Sequence, residues 1–344
     1  MNAPVIGWGC SYVPEEIILA AECHSSRLIS DYNNIELAEA FIPSNVCPYT
    51  RNVFESTLNG DHDFLSGVIF TNSCQACEFL YDNMKACSTI KFCYMLDVPR
   101  RADEHGLAFF RDRLDHLIRA IETHFRVNIG EEELKQAAIE LNDNRRRLLH
   151  INETRKTLNS PLTGTEFTAL VNIANDMPPM EYSRYLAQYE QSLGEKLGKD
   201  GKRILLMGSK LSHAYLPDLI ESENALIVYE DMCSHHRSFD GLVDTGEEDI
   251  LNAIARRYLM KMPCPRMVDT SRHMLHLVRI IEEYNIDGII YHSLKFCASH
   301  TIKATEIRDR MKAQGVPFLF IEGDYSFTSF EQIRNRIGTF LEII

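Results

Sequence analysis

The sequence predicts an α/β protein of two similar lobes, each a parallel sheet of about four strands flanked by helices, joined by a helical middle segment. Three observations carry this. Short, nearly continuous apolar runs alternate with amphipathic stretches at both ends of the chain, which is the pattern of βαβ units whose strands are buried on both faces. The residues between about Ala102 and Asp200 read as helix almost throughout. The two ends also share a set of landmarks in the same order.

In the first part the strand-like runs are VIGWGCSYV from Val5, SRLISDY from Ser26, GVIFTNSC from Gly67 and KFCYMLDVP from Lys91. PEEIILAAECH and EFLYDNMKACS are helix-like segments between them. In the last part the runs are RILLMGS from Arg203, ALIVYEDMC from Ala225, DGIIYHSLKFC from Asp287 and PFLFIEGDY from Pro317. EDILNAIARRYLMK, SRHMLHLVRIIEEYN and TEIRDRMKAQG supply the intervening helices. The middle segment has apolar positions at helical spacing in HLIRAIETHF, EEELKQAAIELNDNRRRLLHINETRKTL and EYSRYLAQYEQSL. Asn159-Ser160-Pro161 and Asp176-Met177-Pro178-Pro179 break it. The run Arg145-Arg146-Arg147, on a helix flanked by acids, reads as a solvated face. The expected organisation is an N-terminal lobe over 1–101, a helical connection over 102–200 and a C-terminal lobe over 201–344.

The shared landmarks suggest an internal duplication. Each end has a Cys-Pro pair between its second and third strands, Cys47-Pro48 and Cys264-Pro265. Each third strand runs to a cysteine, Cys74 or Cys297, and each fourth strand is followed by an acid, Asp97 or Glu322/Asp324. Ligands of open parallel sheets sit beyond the carboxyl ends of the strands. Two facing sheets bring Cys74 and Cys297 to a shared cleft, with Cys47 on a loop at the same edge.

A chain of 344 residues suggests two domains at about 100–200 residues each. A formal net charge of −13 disfavours nucleic acid and anionic membranes as partners, since both want a basic face. The start, MNAPVIGWGCSYVPEEII, lacks the basic and apolar regions of a signal peptide, and no apolar run approaches the roughly 20 residues of a membrane span. The expectation is a soluble, cytoplasmic protein. Ten cysteines are then free thiols or ligands rather than a disulfide framework.

Clustered thiolates at strand ends suit zinc or iron–sulfur ligation. Only Cys74-x-x-Cys77 has knuckle spacing, and the same pair matches a thioredoxin-like redox motif without its aromatic surroundings. Cys77 reads as helix packing, Cys87 and Cys93 as core, Cys23-His24 as surface or packing. Cys10, at a strand end, approaches the cleft. His235-His236 beside Cys233 reads as a polar turn. No glycine-rich dinucleotide fingerprint or phosphate loop is present.

The motifs GCSYVPEEIILAA, NVCPYTRN, GVIFTNSC…LYD, YMLDVPR, EDMC…R, ARRYLMKMPCPRM, DGIIYHSLKFC and FLFIEGDY…EQIRNRIGTFLE follow one another in order. With them the chain resembles the 2-hydroxyacyl-CoA dehydratase D-component and benzoyl-CoA reductase family, from about Gly7 to the C-terminus. The resemblance implies two α/β lobes with a cleft between them. It implies a 4Fe–4S cluster on three cysteines, here Cys47, Cys74 and Cys297, with one iron left open. It further implies a homologous second subunit, an ATP-dependent iron–sulfur activator and an acyl-CoA substrate. The implied chemistry delivers one electron to a thioester carbonyl, giving a ketyl radical that expels the neighbouring hydroxyl or leads on to ring reduction. Glu15 and Glu16 begin the first helix at the same sheet edge and match a region where the family's substrate-binding subunit has a carboxylate; they are candidates for acid/base work, against a helix-start role favoured by the macrodipole.

Some positions depart from the family pattern. AECHSSRL stands where a glycine-containing turn is usual, SHHR replaces a Thr-Gly-x-Arg while keeping Arg237, and Cys77 replaces a non-cysteine. These departures touch the substrate pocket more than the cluster ligands. Alternatives therefore remain: a subunit of an ATP-dependent benzoyl-CoA reductase, a non-catalytic electron-relay partner, or a double-cubane-cluster reductase. The last needs about six thiolates, and no cysteine lies between Cys47 and Cys74. A structural zinc protein is a further reading.

Overall fold

A computed structural model describes residues 3–344 other than 31, 33, 176, 195–197, 212–214 and 326–329. Asp176 of the second helix-breaking run thus lies outside the described residues. The N-terminal sheet contains β1 (Val5–Trp8), β2 (His24–Arg27), β3 (Gly67–Thr71) and β4 (Phe92–Leu96), interleaved with α1 (Glu15–Ala20), α2 (Pro48–Leu58) and α3 (Gln75–Cys87). Its order is β2-β1-β3-β4, parallel throughout. α4 (Glu104–Phe125), α5 (Glu131–Thr154), α6 (Gly164–Ile173) and α7 (Pro179–Leu193) follow.

The C-terminal sheet repeats the plan. β5 (Lys202–Gly208), α8 (Tyr215–Ser222), β6 (Ala225–Met232), α9 (His236–Phe239), α10 (Ile250–Met260), α11 (Ser271–Glu283), β7 (Gly288–Leu294), α12 (Ala298–Ala313), β8 (Phe318–Gly323) and α13 (Phe330–Ile343) complete the chain. The strand order is β6-β5-β7-β8, again all parallel. The same 2-1-3-4 order in both sheets is the structural form of the repeated landmarks.

Local chemistry explains the element ends. Asp103 caps α4 by accepting from the Gly106 N–H at 2.9 Å, and Asp249 caps α10 through the Asn252 N–H at 2.9 Å. Thr163 and Glu166 form a capping box on α6. Pro48 opens α2, where the missing N–H costs nothing. The polar edge strand β2 starts two residues earlier than its apolar content suggests, because its pairing begins with Val5 opposite His24. Edge strands are held by one ladder only, so hydrophobic pattern locates them poorly.

Every residue of β3, β6 and β7 is buried, as expected of strands covered on both faces. One core joins β1, α1, α4, α5 and α10, so a helix from the C-terminal part of the sequence completes the N-terminal core. Arg145 is not on a solvated face. It is 4% exposed and its guanidinium pairs with Glu16 at 2.7 Å. Among the described residues no helix is long and apolar enough to cross a membrane.

Candidate functional site: a thiol-lined cleft between two sheets

In a 2-1-3-4 parallel sheet the crossovers diverge between the central strands, leaving a crevice at their carboxyl ends. The loops after β1 and β3 open onto it in one lobe and those after β5 and β7 in the other. Contacts across the cleft show that the two crevices face each other. Lys210, just after β5, donates from Nζ to the Gly9 carbonyl at 2.6 Å, and its ammonium lies 3.3 Å from the centre of the Tyr49 ring. Lys261 donates to the Ser11 carbonyl, and Arg27 donates to the Ser234 carbonyl at 3.0 Å. Gly208 makes the turn before Lys210 possible. Its φ is +126°, and a Cβ there would sit 1.9 Å from the His292 carbonyl oxygen.

Cys47, Cys74 and Cys297 share one local setting: each is the residue that precedes the first turn of a helix, α2, α3 and α12 respectively. Unpaired amides and the positive end of the helix dipole therefore face each sulfur, which favours a thiolate or another anion there. Cys47 and Cys297 pack at the same apolar core, with Leu28, Phe70 and Leu294 from the two lobes. Their neighbour Phe296 holds φ +62°, a left-handed conformation that turns the chain from β7 into α12.

The thiols influence one another. Burial pushes the Cys47 thiol up to about 12, with Cys297 and Cys74 adding to the rise and the amides of Tyr49 and Thr50 opposing it. Burial likewise raises Cys297, against the amide of His300 and the Ser209 hydroxyl. Cys74 is lowered to about 6, first by the thiol of Cys77, with burial opposing and Lys210 assisting. The two sulfurs are 3.6 Å apart, and Cys77 is correspondingly raised well above an ordinary thiol. Buried thiols that resist ionisation alone become thiolates when a metal replaces the proton.

Positive charge is concentrated at the cleft without matching carboxylates. Among the described residues neither Lys210, Lys261 nor Arg27 has a carboxylate within ion-pair distance. Burial works against the charge of Lys210, but Tyr49 and the thiols of Cys233, Cys77 and Cys10 hold its pKa above that of an ordinary lysine. Lys261, 5% exposed, is pushed down to about 7 by burial and by Arg257. Buried uncompensated cations are expensive. The natural partner of the two lysines is an anion in the cleft, and a thiolate-bound iron–sulfur cluster is such an anion. Donor type, placement and surrounding charge all fit this group. Among the described residues no three His, Cys, Asp or Glu side chains are gathered closely enough to hold a single metal ion. A cluster spreads its thiolates over several irons, so that tighter grouping is not its requirement.

Other residues meet the cleft that spacing alone left aside. Cys10 and Cys233 lie within electrostatic range of Cys264, which is pushed up to about 12, first by burial. Cys87 is exposed rather than core. His235 is buried in a turn between the hydroxyls of Thr168 and Ser234, at 2.9 and 3.0 Å. Arg237 forms a two-pronged buried ion pair with Asp231 at 2.6 and 2.8 Å. Lys210 and Lys261 had no distinguishing sequence signal beyond a lysine next to a Gly-Ser turn and one in a helix end; only the facing of the sheets gives them a role.

The two acidic candidates part company. Glu16 is fully buried, and Arg145 holds its carboxyl below the usual range against the effect of burial. Glu15 stays at the wall of a cavity behind Trp8, where its Oε2 accepts from the Ser25 hydroxyl at 2.7 Å.

A sequence profile of the family described as 2-hydroxyglutaryl-CoA dehydratase, D-component, matches residues 10–344. The chain belongs to this family. Its relatives include the (R)-phenyllactyl-CoA dehydratase beta subunit of Clostridium sporogenes, 24% identical over 98% of this chain and 91% of that protein. The putative dehydratase subunit YjiM of Escherichia coli (strain K12) is 25% identical over 99% of this chain and 91% of its own. One of the subunits of the benzoyl-CoA reductase of Thauera aromatica is 23% identical over 99% of this chain and 90% of its own. As a member of the D-component family, the chain is a subunit of a dehydratase or of a benzoyl-CoA reductase-like enzyme.

Proposed function

We propose that the chain is the iron–sulfur subunit of a 2-hydroxyacyl-CoA dehydratase-type enzyme, holding a 4Fe–4S cluster on Cys47, Cys74 and Cys297 with one iron left open. The observation that carries this is the convergence of three cysteines from both lobes, each at the start of a helix, on a cleft with uncompensated lysines. When bound, such a cluster supplies single electrons to a thioester and a Lewis-acidic iron for a substrate oxygen. The protein's own contribution is electrostatic and steric. The starts of α2, α3 and α12, with Lys210 and Lys261, offset the negative charge of the thiolates. Packing of the two lobes leaves the three cysteines half-buried, and Glu15, of the two acids, is the one left available to a ligand. A homologous second subunit, an ATP-dependent iron–sulfur activator and an acyl-CoA complete the proposed system.

Iron and sulfide analysis after anaerobic purification tests the assignment, with about four of each per chain expected. Cys47→Ala, Cys74→Ala and Cys297→Ala should each lower both. If all three leave iron unchanged, the ligand assignment fails; zinc in place of iron, without visible absorbance, supports a structural zinc site instead. Acyl-CoA dehydration against ring reduction, assayed with partner and activator present, separates the dehydratase from the reductase reading.

A second reading is favoured by one specific observation. Cys10 and Cys233 lie within electrostatic range of Cys264, and with Cys47, Cys74 and Cys297 these make the six thiols a double-cubane cluster needs. That reading predicts about eight irons per chain and loss of half of them in a Cys10→Ser, Cys233→Ser, Cys264→Ser triple variant.

A further inference from the structure

Behind Trp8, between the edge strand β2 and the helices α1, α5 and α6, lies a cavity of about 360 Å³, within the usual range for small-molecule sites of about 300–1,000 Å³. It is separated from the thiol cleft by the side chains of Trp8 and Arg27, which line both this cavity and the cleft-side space that contains Lys210 and Cys233. Its body is apolar: Trp8, Leu148, Val171 and Phe239 contribute to the wall. Its wall also carries polar groups, and those that bear on a ligand are of two kinds.

The first kind accepts hydrogen bonds. The Trp8 Nε1–H donates to the Ser25 hydroxyl at 2.8 Å, and that hydroxyl donates to Glu15 Oε2 at 2.7 Å. This chain orients the carboxylate and leaves Oε1 without a donor among the described residues. Asn144, 6% exposed, spends its amide N–H on the Pro179 carbonyl at 3.1 Å, and its Oδ1 has no partner. The second kind is a cation. Arg27 is 9% exposed, and it donates to the Ser234 carbonyl and, at 2.9 Å, to Asn172 Oδ1, both neutral acceptors. Burial works against this guanidinium and Cys233, Tyr49 and Glu15 support its charge through space, but among the described residues no carboxylate pairs with it directly, which leaves an incomplete anion site.

We propose that this cavity is a binding site for a small free hydroxy acid with an apolar body. The hydroxyl donates to Glu15, the carboxylate takes its charge partner from Arg27, and the body packs on Trp8, Leu148, Val171 and Phe239. In a coenzyme A thioester the carboxylate that would pair with Arg27 is replaced by an uncharged thioester, so the free acid is the ligand. The site makes no use of iron and stands whether or not the cleft holds a cluster.

Trp8 is the only tryptophan of the chain, so its emission reports on this wall and on the cleft-side space that it also lines, and the Glu15 and Ala174 variants tell the two apart. The full-length chain is titrated with mandelate, phenylacetate and glycolate, and iron is measured on the same preparation. Mandelate is expected to change the emission saturably. Phenylacetate, without the hydroxyl, and glycolate, without the apolar body, should each bind at least about tenfold more weakly. Glu15→Gln should weaken mandelate about tenfold and leave phenylacetate unchanged. Ala174→Leu, at an exposed position on the cavity wall, should weaken both acids while the circular dichroism spectrum stays that of the wild type. The proposal is overturned if mandelate gives no saturable change, if phenylacetate matches it, if Glu15→Gln affects both equally, or if mandeloyl-CoA displaces mandelate at lower concentration. The comparison of ligands on the wild-type chain decides the question even if a variant fails to fold, and none of these outcomes depends on the iron content.

Discussion

Glu16 offers the sharpest separation of a structural charge from a catalytic one. Its carboxylate is fully buried and sits 2.7 Å from Arg145, itself 4% exposed. Arg145 also donates to Asn142 and Tyr258, both at 3.2 Å, and lies 5.8 Å from the centre of the Tyr258 ring. Removing one partner of a buried pair strands the other, at about 3–5 kcal/mol. Glu16→Gln keeps the shape, and Arg145 keeps its two neutral acceptors, so a value near the lower end, about 3 kcal/mol, is expected. With a denaturant slope of about 3 kcal/mol per molar, the urea midpoint should fall by about 1 M. Glu16→Met with Arg145→Met should recover most of the loss, since an apolar pair replaces a buried ion pair at little net cost. The sign with pH follows from the lowered carboxyl pKa. The contribution is present above the ordinary carboxylate pKa and is lost as pH falls through the folded-state value. Urea unfolding followed by circular dichroism, with the pH series, measures all three. A Glu16→Gln chain with the wild-type midpoint but with activity in the assembled enzyme reduced a hundredfold would refute this reasoning and make Glu16 an acid/base group.

Three further outcomes follow from the cleft. In the metal-free chain, alkylation by iodoacetamide at neutral pH should strike Cys74 first; Cys77→Ala removes the largest cause of its lowered pKa and should slow that reaction roughly tenfold, read by peptide mass spectrometry. Lys261 is pushed down to about 7, so the unfolded chain binds more protons above that pH and stability rises from about pH 7 toward the ordinary lysine range; Lys261→Met should abolish the rise in the metal-free chain while weakening cluster retention in the loaded one. Gly208→Ala should destabilise the chain by roughly 2–5 kcal/mol in urea unfolding, because the added Cβ meets the His292 carbonyl at 1.9 Å.

Much of this protein was legible in its residues. Eight strands, the parallel sheets and the doubled plan follow from apolar runs such as GVIFT and GIIYHSL, whose burial on both faces leaves no polar alternation to confuse the reading. Cys74 and Cys297 announce themselves because a repeat puts the same residue after the same strand. Other features were out of reach for a local reason. Arg145 reads as solvated because its neighbours in sequence are charged, and its burial depends on α1 packing against α5. Glu15 and Glu16 are adjacent and chemically equivalent in sequence; a helix turns successive side chains by about 100°, so one enters the core and the other faces a cavity. Cys47 resembles its repeat mate Cys264 until the helix that each precedes, or does not precede, is known.

The sequence by itself determined the two-sheet plan and the family, because periodicity, turn chemistry and repeated landmarks are properties of contiguous segments. Only the tertiary structure decided which charges are stranded in the cleft, that seven thiols and two lysines share it, and that a separate cavity opens behind Trp8. Those depend on how two sheets and a helical middle face one another, and the Coulomb interaction falls with distance through space, not along the chain.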